Sequence, residues 1–282
     1  MSVLESGESK KRIPLKRRYI QLLAAVLYNC NIKGFLSGSI YQGDIKGLCV
    51  PGLNCYSCPG AVGACPLGSL QSGLLSSKYK VPYYVLGTLI LFGLMFGRLI
   101  CGFLCPFGLL QELLYKIPGK KIGKSRTTVM LTYIKYVILV VFVIAIPLVK
   151  LVPGFCKYIC PAGILEGGIP LTYMDPQLRG LIGYLFSWKF IIMLIILVAC
   201  VFCFRSFCRF ICPLGAIYSF FNPISFFGIK VDNAKCIHCD ACVRNCKMDV
   251  KKVCDRECIQ CGDCIKECPV DAISYRRTKK DI

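Results

Sequence analysis

The chain has one histidine and one tryptophan in 282 residues, and 15 acidic side chains against 35 lysines and arginines. A single histidine excludes a bis-histidine haem, and the lack of any Cys-x-x-Cys-His string excludes covalent c-type haem attachment. No residue set resembles acid–base or nucleophilic machinery, so the chain is expected to complete no substrate reaction of its own. Charge is scarce, at 18% of residues, and 55% are hydrophobic, which excludes an ordinary soluble domain. The polar, basic N-terminus, KKRIPLKRR, carries no small-residue cleavage signal, so no removed leader is expected. The positive excess crowds beside apolar runs, at 10–18, 116–126 and 277–280. There it sets membrane orientation and meets anionic headgroups, and a nucleic-acid partner is not expected. What is abundant is cysteine, 22 residues, far beyond what packing needs. Metal ligation explains them better than a secreted disulfide scaffold.

Four stretches approach the roughly 20 helical residues needed to cross a hydrocarbon core of about 30 Å: 19–36, 83–100, 130–149 and 189–207. The first is interrupted by Asn29, Asn31 and Lys33. Basic residues before it and in the 116–126 loop put both on the cytoplasmic side, and four crossings return the C-terminus there. Trp188 and Lys189 read as an interfacial anchor.

Two strings 107 residues apart, RLICGFLCPFG from Arg98 and RSFCRFICPLG from Arg205, end apolar segments in the same pair of thiols. Cysteines at i and i+4 share a helix face, so Cys101, Cys105, Cys208 and Cys212 can offer four sulfurs to one inner membrane centre. Four thiolates suit zinc or an iron–sulfur cluster. Arg98, Arg205 and Arg209 are placed to compensate the buried negative charge. Cys-Pro-x-Gly occurs at Cys65, Cys105, Cys160 and Cys212, a repeat that predicts a pseudo-symmetric bundle around shared centres. An outer set of Cys58, Cys65, Cys156 and Cys160 follows, although disulfides are also open to it. Ala61 stands four before Cys65, so its partner comes from NCYSCPGAVGAC, where Cys55 competes with Cys58. Cys49 is a weaker candidate, and Cys30, Cys200 and Cys203 read as packing residues.

The most specific signal is CIHCDACVRNCK followed by CIQCGDCIKECP, with the spacing of bacterial two-cluster ferredoxins. Its ligand crossing assigns Cys236, Cys239, Cys242 and Cys268 to one [4Fe-4S] centre. Cys258, Cys261, Cys264 and Cys246 belong to the other. Lys247 stands where the second run has Pro269, Cys254 is a spare thiol, and His238 is an ordinary loop histidine.

With CGFLCPFG at Cys101 to Gly108, CRFICPLG at Cys208 to Gly215 and the runs from Cys236 to Cys268, the chain resembles the NapH/NosR-type polyferredoxin membrane proteins over about residues 17–275. The resemblance implies electron transfer between a cytoplasmic donor or a quinone pool and a partner in or beyond the membrane. Members of that family serve nitrate or nitrous-oxide reduction. This chain departs from it in the outer strings CYSCPGAVGACPLG and CKYICPAG, and in having no flavin-carrying periplasmic domain of the NosR branch.

The expected architecture is an α-helical membrane bundle of about four transmembrane helices with re-entrant Cys-Pro segments, plus a C-terminal α+β two-cluster ferredoxin domain. The expected divisions are a basic cytoplasmic N-terminus at 1–18, a transmembrane iron–sulfur region at 19–225, the ferredoxin domain at 226–276 and a basic tail at 277–282. In a prokaryotic cell membrane such a chain would relay electrons from a cytoplasmic reductant or ferredoxin, through two ferredoxin clusters and two membrane clusters, to a membrane or extracytoplasmic redox partner. A quinone, flavin or haem could instead bridge the membrane sites. A quinone-linked oxidoreductase subunit and a redox-sensing or maturation protein are the alternatives.

Overall fold

The computed structural model describes residues 13–76, 82–180 and 182–275. Residues 1–12 of the basic N-terminus and the tail at 277–282 lie outside the described residues. Helix α1, Ile13–Tyr28, stops at Asn29, whose amide turns back to the Ala25 carbonyl and across to Asn54. Side-chain amides compete with the helical ladder in this way. The chain restarts as a separate helix, Ile32–Ser37, so the expected segment 19–36 is not one helix.

The expected 83–100 segment is also broken. Helix α3, Tyr83–Phe96, follows the first Cys-Pro helix α2, Pro66–Ser76, and ends at Gly97 in the left-handed region, φ +51°. A side chain at Gly97 would approach the Asn222 side chain to 2.9 Å, so glycine is needed there on both counts. Helices α4, Leu99–Phe103, and α5, Pro106–Leu114, carry the inner cysteine pair that follows.

Among the described residues, two helices are long and apolar enough to cross a membrane, not four: α6, Arg126–Lys150, and α9, Tyr184–Phe202. Only 22% and 17% of their most apolar windows are buried within the protein. Val137, Val140 and Ile144 on α6, and Ile191, Ile195 and Val198 on α9, face outward, where lipid would cover them. Helix α6 widens to a π stretch, Leu139–Ala145, just before Pro147. Proline lacks the N–H and crowds the carbonyl four residues back, and a wider turn relieves both. Between α6 and α9 lie α7, Gly154–Tyr158, and α8, whose π turn Gly163–Gly168 runs into Ile169–Met174 ahead of Pro170. Helices α10, Ser206–Phe210, and α11, Pro213–Phe221, complete the fourth cysteine arm.

The Cys-Pro helices form the inside of the bundle. Helix α2 packs on α3 and the end of α6; α11 packs on α3 and the first half of α6. Helix α5 packs on α1 and α9, and α8 packs on α9. The C-terminal part is a small helix-and-strand region. Strand β1, Ile229–Val231, pairs antiparallel with β2, Ile273–Tyr275, in the register Ile229↔Tyr275. Helices α12, Ala241–Arg244, and α13, Asp263–Glu267, lie between them in sequence.

Candidate metal centres

Each Cys-Pro-x-Gly copy builds the same local device. Proline occupies the first turn of α5 and α11, where its missing N–H would have had no helical partner, and the cysteine before it is the extended cap. The glycine three residues on turns its backbone N–H to the cysteine sulfur in every copy: Gly68 to Cys65, Gly108 to Cys105, Gly163 to Cys160 and Gly215 to Cys212. Helix N-termini favour thiolate over thiol by this geometry and by the helix dipole. The glycines also leave room for cations. A side chain at Gly108 would sit 3.3 Å from the Arg205 guanidinium, and one at Gly163 would sit 3.4 Å from Lys189 Nζ.

The inner four cysteines, Cys101, Cys105, Cys208 and Cys212, are all buried in one core. Burial pushes the Cys105 thiol up to about 12, and Cys208 and Cys101 add to the shift, so the thiols lie within one another's fields. Two fully buried arginines cross-brace them. Arg98 donates to the Cys208 carbonyl at 3.3 Å, while Arg205 donates to the Cys101 carbonyl. Each arginine has a carboxylate, and each carboxylate has a second cation. Glu112 meets Arg205 at 2.7 Å and Arg17 at 2.9 Å; Glu257 meets Arg98 at 2.8 Å and Lys135 at 2.6 Å. Arg209, expected to serve this centre, instead pairs with Asp249 of the C-terminal region and donates to Cys203 Sγ at 3.1 Å.

A second set, Cys55, Cys65, Cys156 and Cys160, lines one cavity of about 260 Å³. Cys58, preferred over Cys55 on sequence grounds, is not among its lining residues. It lies beside Lys46 and takes the Gly60 and Ala61 N–H groups. Glu166 accepts the Cys55 backbone N–H at 2.6 Å, and burial raises its carboxyl to about 7. Cys49 is held apart, near Ser69 and Thr88. Cys30 is exposed, and Cys200 and Cys203 are buried. No disulfide joins any cysteines among the described residues.

The position six residues after each Cys-Pro cysteine was missed at the sequence level. It is occupied by Gln71, Gln111, Glu166 and Tyr218. Gln71 Nε2 donates to Cys156 Sγ at 3.2 Å, and its oxygen accepts the Phe155 N–H at 3.0 Å. Gln111 repeats the arrangement around Cys208, at 3.0 Å from Nε2 to Sγ and 3.4 Å from the backbone N–H to its oxygen. The constant offset from Cys65 and Cys105 was the available signal.

In the C-terminal region five cysteines, Cys242, Cys246, Cys258, Cys261 and Cys264, line one cavity of about 350 Å³, which Arg17 and Glu112 also border. Cys268 packs in one group with Cys236, Cys242 and Cys264, while Cys239 is exposed. Cys254 lies half-buried beside Cys258, its backbone N–H directed at that sulfur. His238 is exposed, with φ +52°. Despite burial, Arg98 and Lys135 hold the Glu257 carboxyl below the usual carboxylate range.

The donor sets fit iron–sulfur clusters by their chemistry. Among the described residues, no group of three or more His, Cys, Asp or Glu side chains is placed to hold a metal ion. A [4Fe-4S] cubane takes four thiolates on four separate irons and accepts N–H···S bonds. Arg98 Nε, buried beside the inner thiols without a hydrogen-bond partner of ordinary geometry, is a donor that an anionic guest would satisfy.

The 4Fe-4S binding domain family matches residues 81–125, 136–169 and 185–231, and a second 4Fe-4S binding domain family matches 255–274. An uncharacterised protein of Methanocaldococcus jannaschii is 30% identical over 194 residues, 66% of this chain and 74% of that protein. Another from the same organism is 31% identical over 162 residues, 55% of this chain and 53% of its own length. The putative electron transport protein YccM of Escherichia coli is 26% identical over 186 residues, 63% of this chain and 49% of its own length. The match thus spans about three quarters of the first relative and about half of each of the other two. No solved structure matches the chain.

Proposed function

We propose that this chain, which belongs with the 4Fe-4S binding domain proteins and is related to YccM, relays electrons between a cytoplasmic reductant of ferredoxin type and an acceptor in or across a prokaryotic cell membrane. At the coarser level it is an iron–sulfur, partly membrane-associated electron-transfer protein. A [4Fe-4S] cluster, when bound, supplies one-electron redox chemistry.

In this reading Cys236, Cys239, Cys242 and Cys268 hold one cluster and Cys246, Cys258, Cys261 and Cys264 a second. Cys101, Cys105, Cys208 and Cys212 hold an inner membrane cluster, with Arg98 and Arg205 offsetting its charge. An outer set takes Cys65, Cys156 and Cys160, with Cys55 in preference to Cys58 because Cys55 shares their cavity. In this reading α6 and α9 are the full crossings, the shorter α1 and α3 enter the bilayer beside them as part of a four-segment bundle, and the C-terminal region and the start of α1 are cytoplasmic.

The observation that carries the proposal is the contact between the C-terminal region and the inner set. A side chain at Gly102 would lie 2.4 Å from the Ile259 carbonyl, so the neighbours of Cys101 and Cys258 touch backbone to backbone. The Arg98–Glu257 ion pair bridges the same contact. This contact supports direct electron transfer between the two groups in the proposed assignment.

Iron and acid-labile sulfide per chain, measured on anaerobically purified protein in detergent, test the reading. About four [4Fe-4S] equivalents are expected. A value near two would reduce the chain to a membrane-anchored ferredoxin and overturn the proposal.

A further inference from the structure

Residues 51–55, Pro-Gly-Leu-Asn-Cys, form neither helix nor strand, yet Gly52, Leu53 and Asn54 are buried. Irregular backbone at membrane depth is tolerated where protein satisfies its polar groups, and here the partners belong to both membrane cysteine sets. On the inner side, the Tyr218 hydroxyl, on the helix that follows Cys212, donates to the Pro51 carbonyl at 3.0 Å. Gly52 lies directly on the Cys105 arm: a side chain there would sit 3.1 Å from the Leu104 carbonyl and 3.2 Å from Cys105 Cα. The Leu53 backbone N–H is directed at the Cys105 sulfur. On the outer side, Leu53, Asn54 and Cys55 line the cavity shared with Cys65, Cys156 and Cys160. The Asn54 N–H is directed at the Cys65 sulfur, and the Cys55 N–H goes to Glu166. Asn29 fixes the Asn54 side chain at 2.9 Å.

Two consecutive peptide N–H groups therefore serve sulfurs of different sets. One residue of backbone spans at most about 3.6 Å, so sulfurs faced by two consecutive peptide N–H groups lie no more than about 10 Å apart. A hydrocarbon core of about 30 Å would otherwise stand between sites on its two surfaces.

We propose that segment 51–55 is the bridge by which single electrons pass between the inner and outer cysteine sets, without a quinone, flavin or haem between them. The inference rests on the reading that both sets hold clusters. One electron leaves one set as one arrives at the other; no bond forms or breaks, and no proton is required. A ferredoxin-type protein supplies the electron on the inner side, and a one-electron redox protein docked at the outer set accepts it. The Leu53 and Asn54 N–H groups hold the two sulfurs at fixed separation, and Gly52 permits the approach.

The test is EPR on the full chain in detergent, reduced with dithionite, alongside its iron content. The expected result is iron near four clusters, with spin–spin interaction between the two membrane centres that vanishes in Cys156→Ser. Iron near four clusters with magnetically independent membrane centres overturns the bridge and leaves the cluster assignment standing. Iron near two removes the assignment, and the bridge with it. Gly52→Val, which pushes the segment off Cys105, is expected to weaken the interaction and slow reoxidation of the inner centre several-fold. Tyr218→Phe, which keeps the volume and frees the Pro51 carbonyl, should act in the same direction more weakly. Interaction and rate unchanged in both variants overturn the route through this segment.

Discussion

The inner and outer cysteine sets share a scaffold and differ in charge. Both place Cys-Pro sulfurs on helix N-termini, and both give a second-arm cysteine a glutamine N–H, from Gln111 or Gln71. The inner set adds two fully buried guanidiniums, Arg98 and Arg205, three residues before Cys101 and Cys208. The equivalent position before Cys156 is Pro153, and the outer cavity instead has Lys157 and Lys189 on its wall and Glu166 on the Cys55 backbone. A repeated fold can thus hold similar centres and still set their potentials apart. In the proposed assignment the inner guanidiniums favour the more negative, reduced state and are partly offset by Glu257 and Glu112, while at the outer set Lys157 and Lys189 are partly offset by Glu166.

The comparison breaks most visibly at the arginines. Arg205→Leu leaves Glu112 with Arg17 alone in the core, and Arg98→Leu leaves Glu257 with Lys135. Each should cost about 3–5 kcal/mol and strip iron from the inner centre, whereas Lys189→Leu should leave inner iron unchanged; iron analysis and thermal unfolding in detergent read both. A second test concerns the outer donors. Cys55→Ser should lose about one cluster of iron and Cys58→Ser none, and the reverse pattern would return the assignment to Cys58. The glutamines sharpen the comparison at smaller scale. Gln111→Leu should lower the potential of the inner centre by on the order of 40 mV, the worth of one hydrogen bond of about 1 kcal/mol. Gln71→Leu should do the same to the outer centre alone, as read by EPR redox titration. The smallest effect expected is at the glycines. A methyl at Gly108 meets the Cys101 carbonyl at 3.0 Å, so Gly108→Ala should lower the unfolding temperature more than Gly163→Ala, where the nearest atom is the flexible Lys189 amine at 3.4 Å.

The ligand chemistry was legible in the sequence wherever it was local. The Cys-Pro-x-Gly repeat and the two C-terminal cysteine runs are short-range patterns, so the candidate ligands can be read directly from their spacing. Segment boundaries were less legible, because Asn29 and Gly97 end helices through contacts with Asn54 and Asn222, neither of them a sequence neighbour. The choice between Cys55 and Cys58 was hidden for the same reason: the chain around them is irregular, so no i,i+4 rule applies, and Glu166, 111 residues away, holds the Cys55 backbone. Arg209 looked like a partner for the inner thiols by position, yet Asp249 lies closer in space and claims its charge.

Lys135 lies fully buried on a long apolar helix, and its carboxylate is Glu257, from a region made 122 residues later. Arg98 and Arg209 likewise take their acids from that late region. During biosynthesis, then, the helices reach the lipid while three of their cations still lack counter-charges, and the nascent bundle cannot settle until the last part of the chain folds onto it. Chains truncated before Asp249 would be left with uncompensated charge in the bilayer, the kind of defect that membrane quality control removes. The order of synthesis thereby couples settling of the helical part to completion of the C-terminal region.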